Sequence, residues 1–135
     1  MKNKFYIIFT VLFMFFLNIN NSFCQSLNPK ILEVYGSKIQ ELVINEPQHL
    51  ERLNDLLDNR IKIIESPLSS EEKNVKLSQI ALLNKYNASL SRDAVFDPLN
   101  FNPLKYDLNF FPKSTAVYRV DNTNYLIVIQ PQTLK

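Results

Sequence analysis

The sequence predicts an α+β domain, with N-terminal helices followed by a three- or four-stranded antiparallel meander, after a cleaved signal peptide. Three observations carry this. A short basic stretch precedes a run over residues 5–17 that is apolar except for Thr10. Residues 29–58 set apolar side chains at helical spacing. The last third alternates apolar and polar residues between turn-forming clusters.

Lys2 and Lys4 open the chain, and Asn18, Asn20 and Asn21 close the apolar run. As a helix that run spans about 20 Å, short of a ~30 Å hydrocarbon core. Ser22 and Cys24 then occupy the small −3 and −1 positions of a secretory signal cut before Gln25. The expectation is a signal peptide over 1–24, one small domain over 25–135, export to the periplasm or beyond, and no transmembrane span in the mature chain. A lipid-modified Cys24 is the alternative, but that processing needs a small residue where Phe23 stands.

Charge and composition exclude several functions. With Lys2 and Lys4 removed, the 15 basic residues fall by two and match the 13 acidic ones. A neutral chain with interspersed signs has no electrostatic footprint for nucleic acid or anionic lipid. One Cys, one His and one Gly leave no disulfide framework, no multi-Cys zinc site and no Gly-rich phosphate loop.

Asn28-Pro29 is an N-cap and N1 pair. Ile31, Leu32, Tyr35, Ile39, Leu42 and Val43 follow at helical spacing, interrupted by Gly36-Ser37. The segment 29–44 is therefore one helix, or a short piece and a second helix started by a Ser37/Gln40 capping box. A further helix begins near Pro47, with Leu50, Leu53, Leu56 and Leu57 inward, and Asn59 is a candidate left-handed terminator. The β-branched Ile61, Ile63 and Ile64 favour a strand, although Ile64 also continues the helical stripe.

Ser69 with Glu72 reads as a capping box, predicting a helix that carries Leu77, Ile80, Ala81 and Leu83 inward to about Tyr86. Residues 87–103 lack a period. They hold an echo, Phe96-Asp97-Pro98-Leu99 and Phe101-Asn102-Pro103-Leu104, whose Pro residues mark turns. Leu104, Tyr106, Leu108 and Phe110 alternate with polar residues as in a half-buried strand. Segments 115–120 and 125–130 form a hairpin across residues 121–124, pairing Val120 with Tyr125 and Tyr118 with Ile127. One face is Ala116, Tyr118, Val120, Tyr125, Ile127 and Ile129, a core face. The other carries Val117, Arg119, Leu126 and Val128, and calls for partial cover.

Each chemical constellation has a plainer reading. His49 falls in the first turn of a helix, where the dipole disfavours imidazolium, so a surface or capping role is expected. Glu51, Asp55 and Asp58 share a helix face with Arg52 and read as solvated charge rather than a cation site. Glu71 and Glu72 are helix-start residues. Asn87-Ala88-Ser89 matches the N-glycosylation pattern, relevant only in a eukaryotic secretory pathway. Tyr106, Phe110, Phe111, Tyr118 and Tyr125 read as core.

The function expected is that of a small non-enzymatic interaction or accessory protein of the cell envelope, without catalytic, cofactor or metal residues. Its partner is another envelope protein or itself, met through Val117, Leu126 and Val128 with Arg119 as polar anchor. The alternative is a sugar- or lipid-binding domain with a pocket between helices and sheet, lined by Tyr106 and Tyr118.

Overall fold

The computed structural model describes residues 27–67 and 73–132. The expected signal with Cys24, and the Ser69/Glu72 helix start, lie outside them. Helix α1 spans Pro29–Tyr35, and the Asn28 side chain accepts the Lys30 N–H at 3.0 Å. The chain's one glycine, Gly36, follows at φ 51°, a left-handed conformation that costs glycine nothing sterically. A tight 3₁₀ turn, Gly36–Lys38, leads into α2, Ile39–Asn45, and no capping side chain forms at either start. Helix α3 runs Pro47–Asp55 and widens into a π turn, Leu56–Arg60. Asn59 stays out of the left-handed region, bonding instead to Asp55 at 2.9 Å.

Four strands follow: β1 Ile61–Glu65, β2 Val75–Lys76, β3 Ala116–Arg119 and β4 Tyr125–Ile129. Their order is β1-β4-β3-β2. β4 is antiparallel to β1 and β3, with Tyr118 beside Ile127 and Ala116 beside Ile129. β2 is parallel to β3. The fold is thus α+β, but the sheet is mixed and is not the antiparallel meander expected from sequence.

Two elements account for the difference. Residues 104–110 are no strand: Pro103–Lys105 is a 3₁₀ turn, and Tyr106 makes a single bridge to Leu82. The alternation misleads because Lys105 is buried, its ammonium 2.5 Å from Asp93 and 3.7 Å from Glu33. Residues 73–86 form no α-helix; they hold β2 and a 3₁₀ turn at Leu77–Gln79. Their backbone groups find distant partners: Ser78 N–H on Asp121 at 2.8 Å, Leu83 N–H on the Lys105 carbonyl at 2.7 Å, and the Leu77 and Ile80 carbonyls on Arg92. Such long-range bonds satisfy the chain without helix and override a modest local propensity.

The helices and the 101–108 segment pack on one sheet face around Ile31, Leu56, Leu104, Ile127 and Ile129. Both Pro echoes are Asx turns, with Asp97 accepting Leu99 N–H and Asn102 accepting Leu104 N–H. Asn102 also donates to the Lys30 carbonyl and Glu33, fastening the loop to α1. No helix among the described residues is long and apolar enough to cross a membrane.

Candidate functional site

The sheet has two unlike faces. Inward lie Ile61, Ile63, Ala116, Tyr118, Val120, Tyr125, Ile127 and Ile129, all part of the helix-covered core or packed against it. Outward lie Val117, Arg119, Leu126 and Val128, and the β1–β4 register adds Lys62 beside Val128 and Ile64 beside Leu126. The structure brings the four expected contact residues together on one surface but does not expose them equally. Leu126 and Arg119 are buried. Arg119 Nη1 donates to the Ser66 carbonyl at 2.9 Å, so the chain leaving β1 covers this end of the face. Arg119 is a brace there, not an exposed fork. Ile64 is 43% exposed, and Val117 and Val128 are half-buried.

A second feature lies on the helical side. A cleft of about 310 Å³ is lined by Tyr35, Lys38, Glu41, Glu46, His49 and Tyr86 among others. His49 makes no cap and lies half-buried in the cleft wall, its Nε2 3.1 Å from the Tyr35 hydroxyl. Helix α1 supplies the tyrosine and α3 the histidine. Tyr35 stacks on Tyr86 at 4.7 Å between centroids, and the Lys85 ammonium sits 5.2 Å over the Tyr86 ring. Burial, then the neighbouring Tyr86 and Glu46, push the Tyr35 phenol up to about 12. It therefore stays protonated at neutral pH and can donate to the imidazole. Lys38 and Glu41 form an ion pair at the rim, at 3.2 Å.

Tyr106 and Tyr118 do not share a cavity. Tyr106 stacks on Phe101 beside an open depression of about 380 Å³ that also involves Phe96 and Asp121. The Tyr118 hydroxyl instead accepts the Asn109 N–H at 3.0 Å. Among the described residues no group of three His, Cys, Asp or Glu is placed to hold a metal ion. Asn87 of the glycosylation pattern donates its amide to the Glu33 carbonyl at 2.9 Å. Sequence reasoning missed the Tyr35–His49 pair, because nothing local links two helices separated by a 3₁₀ turn and the whole of α2.

No family model, no curated protein and no solved structure matches this chain.

Proposed function

We propose that this is an exported, non-catalytic binding protein of the cell envelope that meets a protein partner through the outer face of its sheet. The observation that carries the reading is the asymmetry of the sheet. Helices cover one face, while Ile64, Val117 and Val128 leave a rigid apolar strip on the other. Adjacent apolar groups on a fixed scaffold are what protein contacts use, whereas scattered ones mean nothing. Exposed Lys62 in β1 and Lys76 in β2 flank the strip, so the fitting partner is an apolar surface with an acidic rim. The reading is of binding rather than catalysis because the one histidine has the Tyr35 hydroxyl as its hydrogen-bond partner and no carboxylate bonded to it among the described residues.

The test is a Val117→Lys, Val128→Lys double variant beside the unaltered protein, both tagged and cross-linked in the native envelope. Leu126 is left alone because it is buried. The reading requires one specific partner that the double variant loses while its melting temperature holds. Retention of that partner by the variant, or no partner at all, overturns it.

A second reading, a site for a small polar ligand such as a sugar, is favoured by the Tyr35–Tyr86 cleft with its mixed charges. Titration with simple saccharides, followed by Tyr86 and His49 resonances, tests it. Unmoved resonances dismiss it.

A further inference from the structure

The edge of the sheet carries an inference separate from its outer face. β1 is an edge strand, paired only with β4 among the described residues. Two bonds bracket its ladder: Gln130 N–H donates to the Arg60 carbonyl at 2.9 Å, and Ser66 N–H donates to the Asn124 carbonyl at 2.6 Å. In an antiparallel pair the bonding residues alternate. Arg60, Lys62, Ile64 and Ser66 therefore turn their backbone groups toward β4. Ile61, Ile63 and Glu65 turn theirs away from the sheet.

The edge carries little of the usual protection. It has no proline within it and no bulge, it extends over five residues, and its one cation is Lys62. Ile63, on the core face, is only half-buried, as expected where a sheet stops short of closing over its own core.

We infer that β1 pairs antiparallel with β1 of a second copy of this chain, about a two-fold axis at Ile63, joining two four-stranded sheets into one. The second copy is the occupant because the edge is complementary to itself in a single register. With the axis at Ile63, Ile61 faces Glu65 of the other copy and Ile63 faces its twin, so every outward N–H and C=O of β1 is paired. On the outer face Lys62 then lies directly opposite Ile64 of the other copy, its stem covering an isoleucine that is 43% exposed in one chain. Moving the axis to Lys62 sets two ammonium groups opposite each other and faces Glu65 with Asn59 of the π turn. Moving it to Ile64 faces Ile61 with Pro67, which has no N–H to give.

The experiment is sedimentation equilibrium of the full chain, purified as the expressing cell processes it, at concentrations up to about 1 mM, where small interfaces form. The expected result is a monomer–dimer equilibrium. Glu65→Pro removes an outward N–H without touching the β1–β4 ladder, and is expected to leave monomer. Ile64→Lys opposes Lys62 to a new lysine, and is also expected to leave monomer, at an exposed position where folding is undisturbed. The double variant Lys62→Glu, Ile64→Lys restores an opposite-charge pair on both sides of the axis and is expected to restore the dimer. A wild-type monomer throughout, a dimer that survives Ile64→Lys, or a double variant that stays monomeric overturns the inference. The Val117→Lys, Val128→Lys protein is expected to dimerise normally, so failure of this inference and failure of the outer-face reading are distinguishable.

Discussion

Replacing Ile127 by alanine tests the division of the sheet into a helix-covered inner face and a less enclosed outer one. Ile127 is fully buried at the centre of β4, with Ile63 on one side and Tyr118 on the other. The change removes three carbon groups, worth about 2.4 kcal/mol at ~0.8 kcal/mol each. Strands on both flanks keep the site from collapsing, so a cavity cost adds, and the total falls at about 3–4 kcal/mol. The next residue, Val128, points to the outer face and is half-buried. Val128→Ala removes two groups already partly in water and is expected to cost under about 1 kcal/mol. Urea melts of both variants, with a shared slope, read the difference directly. Equal losses at 127 and 128 would mean that the outer face is as enclosed as the inner one. A loss below about 1 kcal/mol at Ile127 would remove the core from where the structure puts it.

Other consequences are as direct. Tyr35 is expected to ionise late, near pH 12, and Tyr35→Phe should remove a late-ionising group from an absorbance titration. Because its folded pKa lies above the unfolded value of 10, its stabilising share is full below pH 10 and lost as pH rises toward 12. Burial alone would lower the Lys105 pKa, but its hydrogen bond and charge pairing with Asp93, aided by Glu33, raise it. Its contribution is therefore present below the ordinary lysine value of 10.5 and lost as pH climbs through the raised folded value. Asp93→Asn is expected to cost about 1–3 kcal/mol in a urea melt at pH 7 and to weaken the alkaline loss of stability. For Asp121, hydrogen bonds from Ser78 outweigh the opposing effect of burial and hold the carboxyl below its usual value, so its contribution fades as pH falls through that lowered value. Asp121→Asn should blunt that acid dependence. Intact mass of the exported form is expected to show loss of residues 1–24, and a diacylglycerol adduct on Cys24 would refute that cut.

What the sequence alone determined was local. Asn28-Pro29 starts a helix where the structure has one, because cap and ring act within one turn. The β-branched run at 61–65 is a strand. The β3–β4 register was legible because a short turn and a period of two leave one pairing that buries Tyr118, Ile127 and Ile129 together. What tertiary structure decided was every choice settled by a distant partner. Lys105 reads as the wet side of a strand until Asp93 and Glu33 receive its charge. Residues 73–86 carry helical spacing, yet Asp121, Arg92 and the Lys105 carbonyl take up their backbone groups. His49 looked solitary because Tyr35 lies on another helix. The division of the outer face into a part covered near Ser66 and a strip where Ile64 is exposed and Val117 and Val128 are half-buried was also undecided, since alternation states which residues share a face and never what lies over it.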